Sequence, residues 1–244
     1  MSESFDPANK AEFDRYAGSY ESMHQASISA SGESTEYFAV YKQKVLERLL
    51  GKGFARPVLD FGCGIGNLTR LLVDSFPVVH GYDPSSESVR LARERTRPGV
   101  DPAPDEPGAA RHATFFDDTE ALPKDHYGAA VLANVLHHVP PANRPGLLHT
   151  LRDVLAPGGK LVVFEHNPLN PVTRRAVAAC PFDENAELLY PWAVTRLLKG
   201  AGLGDVERDF IVFFPRMLSA ARSLEPKLHW LPLGAQVCAW GVKR

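Results

Sequence analysis

The chain has few cysteines, almost no net charge, and no apolar run long enough to cross a bilayer. Its three cysteines, Cys63, Cys180 and Cys238, are scattered and odd in number. That argues against a disulfide framework and fits a reducing, cytoplasmic setting. Neither a Cys-x-x-Cys nor a His-x-x-x-His spacing occurs, so no metal is expected. The net charge of −2 gives no reason to expect a nucleic-acid partner. No stretch approaches the length of a membrane span. Met1 to Lys10 lacks the basic-plus-apolar leader of a secreted chain.

What is present is enough apolar residue for one large core. With 244 residues and a hydrophobic fraction of 44%, the chain is expected to form a single domain over 1–244. Its expected parts are N-terminal cap and helices over 1–50, a ligand-binding core over 55–166, and substrate-side lids or insertions over 167–204 and 215–234.

The densest signal is Val58-Leu59-Asp60-Phe61-Gly62-Cys63-Gly64-Ile65-Gly66. An apolar strand runs into a tight glycine turn, which lets backbone approach a ligand closely. A second acid, Asp83, follows one strand-helix-strand unit later, placed to hydrogen-bond a ribose. The pattern points to a nucleoside-containing cofactor. Two departures disfavour a dinucleotide. Asn67 stands where a third small residue would let the helix pack close to the strand. Asp60 ends the strand, and a carboxylate there repels a pyrophosphate but attracts a cationic amino group.

These residues resemble the first motif of class I S-adenosylmethionine-dependent methyltransferases. Further segments fit that family in order. Gly81-Tyr82-Asp83-Pro84-Ser85 resembles its second motif. Phe116-Asp117-Asp118-Thr119-Glu120-Ala121-Leu122-Pro123 resembles the segment whose acid meets the adenine amino group. Ala129 to Val139 and Leu155 to Leu161 resemble the motifs of strands four and five. The resemblance covers roughly residues 10–166. Asp117 departs from the glycine many relatives carry, so either Asp117 or Asp118 is the adenine acid, with Asp118 preferred. Phe13 to Tyr20 resembles a cap that closes over the cofactor; simple aromatic packing is an equal reading.

The resemblance implies an α/β fold: a Rossmann-like, doubly wound, seven-stranded sheet, mostly parallel with an antiparallel last strand, and helices on both faces. It implies S-adenosylmethionine as cofactor, with S-adenosylhomocysteine as product. Its site would comprise Tyr20, Asp60, Gly62, Cys63, Gly64, Gly66, Asp83, Pro84, Asp117, Asp118, Thr119 and Asn134. Within it, Asp83 holds the ribose hydroxyls, Asp60 acts on the methionine amino end and Asn134 lies near the methionyl portion. Cys63 reads as a small residue that fits beside the glycines, not as a reactive thiol.

The residues themselves predict strands near 57–61, 78–82, 112–116, 129–133 and 160–165, with helices between them. That alternation gives a parallel sheet covered on both faces. Helices are predicted over Glu36–Leu50, Val172–Ala179 and Trp192–Ala201, and strands over Phe210–Phe214 and Gln236–Lys243. Residues 97–109, rich in proline, read as a surface loop.

Ligands of a parallel sheet sit at the carboxyl ends of its strands. That rule nominates Asn134, His137 and His138 after strand four, and Glu165, His166 and Asn167 after strand five. His138, Glu165 and His166 are the catalytic candidates, since histidine titrates near neutrality and suits base work. Each also has a structural reading, as a turn or cap residue. Arg174, Arg175, Arg216, Arg222 and Lys227 are candidates for an anionic acceptor group. The 216–234 insertion also carries Met217, Leu218, Trp230 and Leu233. An amphipathic lid is preferred there over membrane contact. The expected reaction is methyl transfer to a small or lipid-like acceptor on oxygen, nitrogen or carbon. Alternatives are a lyase or cyclase using the same cofactor, and a non-catalytic binding protein; a nicotinamide dehydrogenase ranks last.

Overall fold

Alternating burial along the central strands explains why the sheet is covered on both faces. On β1 (Val58–Phe61), Leu59 and Phe61 face one core and Val58 the other. On β4 (Tyr127–Ala133), Ala130 and Leu132 pair with the first core, Ala129 and Val131 with the second. On β5 (Leu155–His166), Leu161 and Val163 alternate in the same way with Val162 and Phe164. Strands buried on both sides read as continuous apolar runs, which is why they are legible in the sequence.

The computed structural model describes residues 25, 28, 31–51, 53–96 and 111–244. The expectations for Phe13, Tyr16, Tyr20 and residues 97–109 lie outside them. The remaining strands are β2 (Val78–Tyr82), β3 (His112–Phe116), β6 (Leu203–Ile211) and β7 (Gln236–Lys243). Among the described residues the α-helices are α1 (Thr35–Leu50), α2 (Thr69–Ser75), α3 (Ser86–Arg95), α4 (Arg144–Val154), α5 (Pro171–Ala178), α6 (Pro191–Gly200) and the short α7 (Glu225–Leu228). The seven strands run in the order β3-β2-β1-β4-β5-β7-β6. Strand β7 lies antiparallel between β5 and β6, and the other six are parallel to one another. The chain order reverses at β1, which pairs with β2 on one side and β4 on the other. The crevice at that reversal, beyond the strands' carboxyl ends, is where such sheets bind ligands.

Local chemistry sets the helix limits. Ser34 caps α1, its hydroxyl accepting from the Tyr37 amide, and Gly51 ends it at φ 91° with its amide donating to Glu47. Asn170 caps α5 through the amides of Val172 and Thr173, with Pro171 in the first turn. Leu148 and Leu151 of α4 and Val194 and Leu198 of α6 cover one face of the sheet. Val45 and Leu46 of α1 and Leu72 of α2 cover the other.

Two sequence expectations need correction. The run Phe210–Phe214 is not a strand as a whole: β6 begins at Leu203 and ends at Ile211. Val212 has φ 61°, a left-handed conformation that breaks the ladder and is rare for a β-branched residue. The part missed, Leu203 to Asp209, is a polar edge strand with exposed Asp205, Glu207 and Arg208, and a charged edge resists further pairing. The stretch 167–204 is also not all lid. Val194 and Leu198 of α6 belong to the main core.

Candidate functional site

The glycine turn after β1 is fixed from both sides. The amides of Gly62 and Cys63 donate to the Tyr82 carbonyl at 2.7 and 2.9 Å. Gly62 has φ 77°, and a Cβ there would lie 2.5 Å from Cγ2 of Val135, the residue after Asn134. The turns after β1 and β4 therefore meet at a point where only glycine fits. Gly64, at φ 53°, has open space where a Cβ would stand. A ligand can lie directly on that backbone. Gly66 instead approaches Ala92 of α3. Cys63 is buried beside Gly81, and burial raises its thiol well above the usual range. Burial of this kind disfavours the thiolate.

Four acids, Asp60, Asp83, Asp117 and Asp118, stand at the strand ends around this turn. Asp83 is buried, and its two oxygens accept from the amides of Gly64 at 2.8 Å and Ser85 at 3.0 Å. A carboxylate has about four lone-pair sites, enough to keep these orienting bonds and accept from a ligand's hydroxyls as well. Pro84 follows, half-buried. Asp117 and Asp118 are exposed and Thr119 half-buried at the end of β3. Oδ1 of Asp118 caps a single turn of 3-10 helix through the Glu120 amide at 2.9 Å.

Asp60 is removed from solvent. Its Oδ2 accepts from the Thr69 hydroxyl at 2.7 Å, while Oδ1 is buried with no hydrogen-bond partner. Burial pushes its carboxyl up to about 6; the charge of Asp83 adds to the effect, and Thr69 and Lys42 oppose it. Asn134, after β4, has φ 60°, and its Oδ1 is likewise buried and unpartnered. Buried polar atoms of this kind are costly unless something binds them. Lys42 of α1, which the sequence did not single out, is buried with Glu165 and Asp60 acting on it. Burial pulls its ammonium down to about 8. On a helix, only tertiary packing distinguishes such a lysine from a solvated one.

Beyond β4 and β5 lies a compact histidine cluster. Glu165 is fully buried: Oε2 meets Nδ1 of His137 at 2.6 Å, and Oε1 accepts from the Leu136 amide at 2.8 Å. Both oxygens of Glu165 are thus engaged inside the core, by the His137 ring and the Leu136 amide. Asp183 lies on the far side, its Oδ1 3.5 Å from Nε2 of His137 and 3.3 Å from Nε2 of His138. Burial opposes charge on His137, but Glu165 and Asp183 outweigh it and raise the ring to about 9. Both carboxyls are held below their ordinary range in turn. Burial, with the charge of His137, lowers His138 to about 4 and His166 to about 3, so both are neutral. The His166 ring is 5.2 Å from that of His137. His138 keeps 19% of its side chain exposed. Asp183 had no signal in the sequence, because it comes from a loop far along the chain.

The remaining nominees divide by their partners. Asn167 is buried, with Nδ2 donating to Pro232 and Gly234 and Oδ1 accepting from Leu169, so it ties the insertion down. Arg222 pairs with Glu33, donates to Phe214 and lies 4.5 Å over the Tyr37 ring. It is committed to structure. Arg174, Arg175, Arg216 and Lys227 are exposed, as are the apolar Val172, Met217, Trp230 and Leu233. Among the described residues, no helix is long and apolar enough to cross a membrane.

Comparison with known proteins supplies the family. The family description "Methyltransferase domain" matches residues 35–207. An uncharacterized methyltransferase of Bacillus cytotoxicus is 36% identical over 89 residues, covering 36% of this chain and 39% of that protein. An uncharacterized methyltransferase of Staphylococcus carnosus is 29% identical over 139 residues, 56% of this chain and 60% of that protein. The matched region thus spans less than two thirds of either relative. A solved S-adenosylmethionine-dependent methyltransferase of Thermotoga maritima has the same fold, with a TM-score of 0.65 at 17% identity over 96% of this chain and 99% of that one.

Proposed function

The chain belongs to the class I S-adenosylmethionine-dependent methyltransferases, and we propose that it transfers the sulfonium methyl group of that cofactor to a small or lipid-like acceptor. The observation that carries this reading is Oδ1 of Asp60, buried and unpartnered beside the glycine turn. A cationic amino group satisfies it, whereas a pyrophosphate is repelled. The unpartnered Asn134 Oδ1, the bare Gly64 backbone and the pre-oriented Asp83 fit the rest of the same ligand.

When bound, the cofactor supplies a methyl group already activated by its sulfur cation. The chain's task is then alignment and exclusion of water. Asp60 orients the amino end, and Lys42 offers a buried cation to the carboxylate. Asp83 takes the ribose hydroxyls, and Asp118, or Asp117 beside it, takes the adenine amino group. The acceptor enters at the carboxyl ends of β4 and β5, next to His138. As a neutral imidazole, His138 can accept the proton that a hydroxyl acceptor sheds. Leu169, Val172, Trp230 and Leu233, with Arg174 and Arg175 nearby, suit an acceptor with an apolar body and an anionic group. A cytoplasmic location and the lack of a nucleic-acid partner belong to this proposal.

Calorimetric titration with S-adenosylmethionine and S-adenosylhomocysteine, with NAD as control, tests the reading. Micromolar binding of the first two and none of NAD is expected. Transfer of labelled methyl to hydroxyl-bearing lipids and small metabolites then identifies the acceptor. A protein that binds neither sulfur compound is not a methyltransferase in the proposed sense.

A further inference from the structure

We infer that Nε2 of His137, Nε2 of His138 and Oδ1 of Asp183 form a binding site for a first-row divalent cation, zinc foremost, beside the acceptor crevice. One ligand atom from each of the three residues lies within 4.8 Å of the other two. The two contacts to Asp183, at 3.5 and 3.3 Å, are longer than a charge-assisted hydrogen bond of about 2.7–2.9 Å. They match the edges, about 3.3–3.5 Å, of a tetrahedron whose ligands stand about 2.0–2.1 Å from zinc. The third edge, between the two histidines, is no longer than 4.8 Å.

The surroundings are those of a held ligand set. Glu165 engages Nδ1 of His137 at 2.6 Å, which directs the Nε2 lone pair away from itself and towards Asp183. The loop bearing Asp183 is fastened to the histidine turn. The Glu187 amide donates to the His137 carbonyl at 2.9 Å, and Arg144 bridges the carbonyls of Leu136, Val139 and Glu187. Two imidazoles and a carboxylate suit zinc and its neighbours better than magnesium or calcium. Spacing rules miss the set because two of its ligands are adjacent in sequence and the third comes from a distant loop.

With an ion bound, a fourth position is left on the solvent side of His138. A hydroxyl bound there would be acidified by the ion and would release its proton to solvent before the methyl group is transferred to its oxygen, so His138 would act through the metal and not as the base. This deepens the methyl-transfer reading, on which the hydroxyl step rests, by favouring an oxygen acceptor. Metal binding itself does not depend on that reading. The competing account is metal-free: a protonated His137 clamped between Glu165 and Asp183.

The test uses the full chain after chelator dialysis. Zn2+ is titrated by calorimetry, Co2+ by visible absorption, and S-adenosylmethionine binding is measured alongside. A single ion per chain is expected, with the intense bands of tetrahedral cobalt. Asp183→Asn and His138→Ala should each weaken binding roughly tenfold or more, and Glu165→Gln about 10–100-fold. His138→Ala, altering a partly exposed residue, remains informative if Asp183→Asn does not fold. Absence of saturable Zn2+ binding, or unchanged affinity in folded Asp183→Asn or His138→Ala protein, overturns the inference. If the sulfur cofactor still binds in that case, the methyltransferase reading stands without the metal. Metal binding without cofactor binding upholds the cation site and overturns the methyl-transfer reading.

Discussion

Glu165 and His137 form a contact of 2.6 Å with both side chains withdrawn from solvent. The pair joins the end of β5 to the turn that follows β4, and the glutamate holds the histidine ring in place. Breaking one side of a buried ionic contact strands the other. Glu165→Ala should therefore cost about 3–5 kcal/mol of stability. In urea this appears as a lower midpoint at unchanged slope. Glu165→Gln, which retains an acceptor, should lose less. An unaltered midpoint for Glu165→Ala would show that the contact contributes nothing.

Asp60 gives the protein a pH signature. Its folded value is about 6, against 3.8 for the free side chain. Between these values the folded chain holds a proton that the unfolded chain releases, so this group's stabilisation is full below 3.8 and lost as pH rises through 6. Cofactor binding has the opposite slope, because the ammonium group needs the carboxylate. Affinity for S-adenosylmethionine should rise as pH climbs through about 6, with a proton released on binding. Asp60→Asn should flatten both slopes. Calorimetry in buffers of differing ionisation enthalpy reads the proton count directly.

Two glycines of one turn should respond differently to alanine. At Gly62 the new Cβ meets Val135 at 2.5 Å with φ at 77°. Gly62→Ala should cost about 2–4 kcal/mol from clash and strained backbone together. Adding Val135→Ala should recover the clash but not the backbone part. At Gly64 the Cβ meets nothing. Gly64→Ala should cost only about 1–2 kcal/mol of stability yet sharply weaken cofactor binding. Equal loss of affinity per unit of lost stability in both variants would deny Gly64 a ligand contact.

Lys42 sets stability against binding. Its buried ammonium titrates at about 8 instead of 10.5. Between those values the unfolded chain binds more protons, so stability rises with pH across that window. Lys42→Met should stabilise the cofactor-free protein by roughly 1–3 kcal/mol at about pH 7, and by less at about pH 10. It should weaken S-adenosylmethionine more than it weakens adenosine, which has no carboxylate. Equal loss for both ligands would remove Lys42 from the carboxylate site.

Glu225 is the anchor of the insertion. It accepts from the Tyr41 hydroxyl at 2.6 Å and from the amides of Phe213 and Phe214 at 3.0 Å each. Glu225→Ala should loosen residues 216–234, raising hydrogen exchange there and the KM for the acceptor. The cofactor Kd should stay unchanged, and a change in it would join the insertion to the cofactor pocket.

The central strands and the glycine turn were legible because their signals are local. Both-face burial forces apolar runs at β1, β4 and β5, and Gly62 answers a steric demand that no other side chain meets. β7, flanked by β5 and β6, appeared in the sequence at its observed limits, Gln236 to Lys243. β6 did not, because an edge strand buries only part of itself and Leu203 to Asp209 reads as polar. The left-handed backbone of Val212 cannot be inferred from a run of apolar residues.

By itself the sequence determined the sheet's core, the acids at its carboxyl ends and the family to which they belong. Only the tertiary structure decided what each polar side chain faces. It turned Glu165 inward to His137, tied Arg222 to Glu33, brought Asp183 to the histidines and buried Lys42 near Asp60. The reason is physical. Periodicity and turn chemistry act over a few residues along the chain. Charge, burial and ligand geometry depend on neighbours that only folding brings together.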